Sequence, residues 1–210
     1  MALELVYVHF PKASGTSIVE SLALHYRRAL AIDNTCMPPY DRQRPSPAVP
    51  PGIRAIHGHF HASRYAEHPG AFRFTFLREP VDNLLSIYYY WKNCERHGYP
   101  PHERFLRESP SVFEFAQWPV MKGWASRWYF GGVDMERFNF VGFYERRDSD
   151  ISKLSRLLNI DIRTDIHLLS TSNGAAERRA ILADQSAVAQ LRDHLREEVA
   201  FYEQMRERWD

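Results

Sequence analysis

Three short stretches of this chain hold the residues whose types and spacing could grip and move an anionic group. The first is His9-Phe10-Pro11-Lys12-Ala13-Ser14-Gly15-Thr16-Ser17. Gly15 permits close approach of backbone to a ligand, the amides of a loop running into a helix converge on an anion, and the helix dipole adds to their pull. Thr16 and Ser17 contribute hydroxyl donors and Lys12 a mobile positive charge. A Walker A loop has its lysine immediately before the hydroxyl residue. Here Lys12 lies four residues before Thr16 and the first glycine is missing, which disfavours an ordinary ATPase or kinase loop. The second stretch, Phe74-Thr75-Phe76-Leu77-Arg78-Glu79-Pro80, places an arginine at the end of an apolar run, with Ser86 eight residues further on. The arginine fork suits paired, charge-assisted bonds to phosphate oxygens.

The third stretch is Ile56-His57-Gly58-His59-Phe60-His61. Histidines at alternate positions of an extended chain point to one side. Three readings stand side by side: a metal site, since imidazoles at this spacing can converge on zinc; a structural cluster; and a general base, since histidine is poised near neutral pH. No Asp, Glu or Cys partner stands at motif spacing, so no metal is expected. Cys36 and Cys94 are too few and too far apart for a zinc cluster or a disulfide scaffold.

The elements that must carry these residues follow from pattern. Leu3–Phe10 is β-rich and apolar, as a buried parallel strand should be, and Pro11 breaks it. A helix is expected from Ser17 to about Leu30, then a Pro-rich surface or substrate loop over 31–52 with six prolines, Arg42 and Arg44. Strands are expected at Ile53–His57, Phe72–Leu77 and Phe138–Phe143. Helices are expected from Pro80 to Cys94, where proline at the first position is favourable, at 111–117 and 119–129, and from Asp150 to Leu158. Residues 95–110 read as a polar, Pro-containing segment. The C-terminal helices, 175–210, break near Asp184 and carry the stripe Val188, Leu191, Leu195, Val199 and Tyr202. This alternation describes one α/β domain over 1–210, a sandwich whose central, mainly parallel sheet is flanked by helices.

With the elements in place, Pro-Lys-x-x-Gly-Thr-Ser after the first strand resembles the 5′-phosphosulfate loop of sulfotransferases, which move a sulfuryl group from 3′-phosphoadenosine 5′-phosphosulfate (PAPS) to an acceptor and release PAP. A strand-end arginine with a serine eight residues later is that family's second signature. The resemblance implies that Lys12, Ala13, Ser14, Gly15, Thr16 and Ser17 cradle the 5′-phosphate and that Arg78 and Ser86 clamp the 3′-phosphate. It also implies a P-loop-like three-layer sandwich for the fold and Lys12 as the catalytic cation. His-Gly-His resembles the carbohydrate-directed branch, the heparan and uronyl 2-O-sulfotransferases, which implies His59 as base, His57 in support and His61 as alternate. Val141-Gly142-Phe143-Tyr144-Glu145 and Ser126–Gly132 are similar to further stretches of that family. The tail departs from it: Glu197-Glu198 stands where an aspartate is expected. Ser170-Thr171-Ser172-Asn173 reads either as adenine contacts or as a capped loop.

The expected acceptor is a hydroxyl, of a carbohydrate by the same resemblance, with Arg42, Arg44, Arg54 and Arg64 as candidates to meet an acidic sugar and Trp118, Trp124 and Trp128 to stack on its rings. For each of these, a solvated face or a core position is the competing reading. The rival functions are a non-catalytic nucleotide- or glycan-binding module and a metal-dependent hydrolase built on His57, His59 and His61. Lys and Arg (27) nearly cancel Asp and Glu (26), which argues against a nucleic-acid partner. The apolar run at the start is too short for a membrane span and lacks a basic leader, so a soluble, cytoplasmic chain is expected, with a trimmed Golgi-type anchor compatible with the same residues. The sequence leaves the oligomeric state open.

Overall fold

In the computed structural model, residues 2–34, 46–96, 98–163 and 174–209 are described. Cys36, the prolines at 38, 39 and 45, Arg42, Arg44 and the Ser170–Asn173 stretch lie outside them.

Five strands form one parallel sheet: β1 (Leu5–Val8), β2 (Leu30–Ile32), β3 (Ala55–Gly58), β4 (Phe72–Leu77) and β5 (Phe140–Phe143), in the order β2-β3-β1-β4-β5. Every residue of β1 is buried, as a central parallel strand covered on both faces requires. Tyr7 and Phe74 stack across the β1–β4 pair with ring centroids 4.4 Å apart. Helix α1 (Gly15–Tyr26) connects β1 to β2 on one side of the sheet; α2 (Pro80–Asn93) follows β4 on the other side of β1. Right-handed crossovers in opposite directions put these two helices on opposite faces.

The reversal of direction places a topological switch point at the carboxyl end of β1, where open parallel sheets bind ligands. Register fixes what meets there. Val8 lies opposite Gly58 on one side and Thr75 on the other. The residues just past β1 therefore stand between those just past β3 and the last turn of β4 into α2. The three chemically suggestive stretches, distant in sequence, end on one edge of one sheet.

Three local departures from the sequence pattern, at β2, at α3 and at the expected helix 119–129, have physical causes. Strand β2 falls where a helix end and a surface loop were expected; Arg27, at φ 51°, ends α1 early, and a three-residue edge strand is too short to show a period. Helix α3 (Pro100–Glu108) forms within the segment expected to be irregular, because Pro100 and Pro101 occupy a first turn that needs no amide donors, while His102 and Phe105 bury its apolar face. Helix α4 (Val112–Ala116) lies where a helix was expected, at 111–117, and carries a full capping box between Ser111 and Glu114. The expected helix at 119–129 is instead a π-helical turn, Trp124–Tyr129, held by Glu198, whose carboxylate accepts from the amides of Ala125 at 2.6 Å and Ser126 at 2.9 Å. Helix α5 spans Arg147–Leu158. The tail breaks at Asp184, which caps the following helix, and a second time at Leu195, giving α6 (Ala175–Ala183), α7 (Gln185–His194) and α8 (Arg196–Trp209). Among the described residues no helix is long and apolar enough to cross a membrane.

Candidate functional site

The loop after β1 is held from behind. Thr75 Oγ1 donates to the Val8 carbonyl at 2.8 Å, Asn83 Nδ2 to the Pro11 carbonyl at 2.9 Å, and Arg78 Nη1 to the Lys12 carbonyl at 2.8 Å. These bonds from β4 and α2 sustain a strained path: Lys12 (φ 62°) and Ser14 (φ 79°) both sit in the left-handed region, at about 1–2 kcal/mol each. The path ends at the start of α1, whose first amides have no intrahelical partner. Ser14 gives no side-chain cap, and its Oγ is buried with no hydrogen-bond partner among the described residues. An uncapped helix start with an unpartnered buried hydroxyl is suited to an incoming anion. Gly15 must be glycine: a Cβ there would lie 1.7 Å from His9 Nε2.

Around this cradle the charges are positive. The Lys12 ammonium lies over the Tyr90 ring, 4.4 Å from its centroid. Partial burial, then repulsion from Arg78 and Arg178, push its pKa down. Arg78 is buried; its Nε and Nη2 reach one oxygen of Asp82 at 2.7 and 2.6 Å, and its guanidinium lies 3.8 Å from the centre of the Tyr144 ring. Asp82 gives its other oxygen to Arg178 of α6. Asp82, half-buried Ser86 and Tyr90 recur every four residues, so one face of α2 fronts the loop. Buried Ser17 accepts from Arg147 Nη2 at 2.9 Å, which brings a cation from α5 to the first turn of α1. Thr16 is half-buried. The Glu145 carboxylate of the Gly-x-x-Glu stretch accepts from the Glu79 amide and the Tyr202 hydroxyl, both at 2.7 Å, bracing the start of α2.

The histidines divide, and the expectation that all three point to one side does not hold, because the strand ends at Gly58. His61 is buried; its Nε2 donates to the Gly131 carbonyl at 3.1 Å and its Nδ1 contacts Ser63 Oγ at 2.8 Å. Both nitrogens are held by these contacts. His59 points toward the loop instead. Its Nδ1 contacts the His9 carbonyl at 2.7 Å, and its amide donates to Asn34 Oδ1 at 2.9 Å. Burial lowers its pKa, partly offset by the carbonyl bond. Buried His57 has both ring nitrogens without a partner among the described residues, and burial, then His59, bring its pKa down to about 4. Gly58 lies between them because a Cβ there would sit 1.8 Å from the Asp33 carbonyl oxygen. The cluster that forms is His9, His57 and His59, with His9–His59 centroids 4.5 Å apart. Among the described residues no group of three His, Cys, Asp or Glu is arranged to hold a metal ion.

Of the arginines expected to meet an acidic sugar, the two among the described residues, Arg54 and Arg64, have other work. Arg64 donates to Asp33 at 2.9 Å in a buried pair that Tyr65 completes. Arg54 pairs with Glu4 at 2.7 Å, at the amino end of its strand and away from the site. Trp118 and Trp124 are core residues. Asp82 and Tyr90, absent from the sequence reading, were detectable as helical repeats four and twelve residues after Arg78. Arg147 and Arg178 had no local signal: they arrive from α5 and α6.

No family model and no curated protein matches the chain. Solved structures similar to it include two sulfotransferases. One is the crystal structure of mouse sulfotransferase SULT7A1 complexed with PAP, at 15% identity and TM-score 0.40, covering 77% of this chain and 60% of that chain. The other is the crystal structure of a sulfotransferase from Alicyclobacillus acidocaldarius, at 16% identity and TM-score 0.41, covering 93% of this chain and 97% of that one.

Proposed function

We propose that the chain is a group-transfer enzyme acting on a nucleotide-borne anionic group. More particularly, it is a PAPS-dependent O-sulfotransferase with a histidine base. The supporting observation is the Arg78–Lys12 carbonyl bond of 2.8 Å, which ties the two nucleotide motifs of the sequence into one site, with His59 on the adjoining strand end. In this reading the start of α1, with Ser14, Gly15, Thr16 and Ser17, holds the 5′-phosphate, and Arg78 and Ser86 hold the 3′-phosphate.

A sugar hydroxyl is a weak nucleophile, so its proton must leave as oxygen attacks sulfur. His59 supplies the acceptor. The His9 carbonyl can only accept, so Nδ1 of His59 carries the proton of the neutral ring and Nε2 is left with its lone pair free to take one. The new O–S bond forms as the bond from sulfur to the phosphate oxygen breaks, and Lys12 neutralises the charge that gathers on that oxygen. Burial around Lys12 strengthens this interaction relative to water. The acceptor class, a carbohydrate hydroxyl, rests on the His-Gly-His resemblance.

Calorimetric titration with PAP, against ADP and AMP, tests the reading. Tight binding of PAP alone supports it; no preference over ADP sinks it. His59→Ala is expected to abolish PAPS turnover while PAP affinity stays intact.

A further inference from the structure

We propose that His9 is the positioning residue of the site, setting both the tautomer of His59 and the gap between that ring and the phosphate loop. The inference rests on the reading of His59 as base. His9 is the first residue past β1, and its backbone is bonded on both sides to the end of β3 and the residue after it: its amide donates to the Gly58 carbonyl at 2.9 Å, and its carbonyl accepts from His59 Nδ1 at 2.7 Å. One residue thus locks the ends of β1 and β3 together and selects the Nδ1–H form, since a neutral imidazole has a single N–H.

The ring does separate work. It stacks on His59 with centroids 4.5 Å apart and planes inclined by 30°. It also covers Gly15, the first residue of α1, so closely that a Cβ there would meet Nε2 at 1.7 Å. Tyr7 stacks against it with centroids 5.2 Å apart and planes inclined by 17°. The His9 side chain is therefore a spacer, wedged between the anion cradle and the base and backed by a buried ring. Desolvation and the neighbouring imidazoles of His59 and His57 hold it far below the usual histidine range. As a neutral ring it fills that gap without adding a cation beside Lys12. His61, two residues beyond His59, shows the contrast: a carbonyl holds its Nε2, the opposite nitrogen.

The carbonyl and the ring can be tested apart in the full chain. Long-range 1H–15N correlation of the histidine side chains, assigned with His→Gln variants, is expected to show His59 protonated at Nδ1 and bare at Nε2. His9→Phe keeps both the carbonyl and a stacking ring, so PAP release from PAPS, with water as the sulfuryl acceptor, should stay within about tenfold of the unmodified chain. His9→Ala keeps the carbonyl but removes the spacer. It is expected to lower that rate by about a hundredfold, with PAP affinity changed by no more than about threefold, since the cradle amides and Arg78 remain. A His59 protonated at Nε2 overturns the inference, and so does unchanged turnover in His9→Ala when His59→Ala is inactive. If His59→Ala itself keeps full turnover, the base assignment falls and the role of His9 falls with it, although PAP binding would still stand.

Discussion

Replacing Arg78 by alanine should weaken nucleotide binding in two separable parts. The structure shows one job, Nη1 bracing the Lys12 carbonyl at 2.8 Å while Nε and Nη2 pair with Asp82, and the proposed function adds a second, a charge-assisted contact to the 3′-phosphate. Loss of the brace removes one hydrogen bond, about 1–1.5 kcal/mol, and frees a loop whose left-handed residues must then be re-ordered by the ligand. That part applies to any nucleotide seated on the loop and predicts a loss of about tenfold for ADP. A charge-assisted pair to the 3′-phosphate is worth about 1.5–3 kcal/mol more, so PAP should lose a further ten- to hundredfold or so. Asp82 keeps Arg178 as a partner, which limits the cost to folding. Isothermal titration of both ligands against both proteins reads the two parts. Unchanged PAP affinity would refute the bracing and the phosphate assignment together; equal losses for ADP and PAP would refute the phosphate assignment alone.

If Lys12 is the catalytic cation of the proposed function, Lys12→Ala is expected to lower turnover of PAPS more than PAP affinity, since a charge placed on the departing oxygen counts most in the transition state; steady-state kinetics beside a PAP titration checks this. Stability should fall in acid through His57. Its pKa lies near 4 in the folded chain against an ordinary 6.5, so the unfolded chain binds the proton more readily and stability, complete above pH 6.5, declines as pH drops toward 4. The loss is about 3 kcal/mol, and denaturant midpoints across that range should flatten in His57→Gln. Glu198→Ala would leave the Ala125 and Ser126 amides without their acceptor, costing about 2–4 kcal/mol. A thermal melt should then fall by roughly 5–15 °C. Gly58→Ala meets a backbone carbonyl that cannot swing aside, and a comparable drop in melting temperature is expected.

Much of the scaffold was legible from residue pattern alone. Apolar runs gave four of the five strands, since a parallel strand buried on both faces has to be apolar throughout. Pro80 marked the start of α2, and Asp184 the first break in the tail, where its side chain accepts from the Ser186 and Ala187 amides. Lys12, Gly15, Arg78 and Ser86 could be singled out because a loop entering a helix, and an arginine ending a strand, are local arrangements. Strand β2 could not be, for its three residues owe their conformation to the neighbour they pair with, Leu30 opposite Ala55.

The histidines mark the boundary between the two kinds of information. Their alternation implied a common face, but a period of two lasts only as long as the strand, and β3 stops at Gly58. Beyond it, the partner each ring meets decides its part: the Gly131 carbonyl takes His61 and the His9 carbonyl takes His59. In the same way, Arg64 became half of a buried ion pair when the fold brought Asp33 to it, and Arg178 joined the site through the packing of a helix nearly a hundred residues after Asp82. Local sequence determined which elements form and which residue types stand at their ends, because propensity and burial pattern act over a few residues. Only the tertiary structure decided which of those polar groups meet, because hydrogen bonds and ion pairs depend on distances that no local pattern encodes.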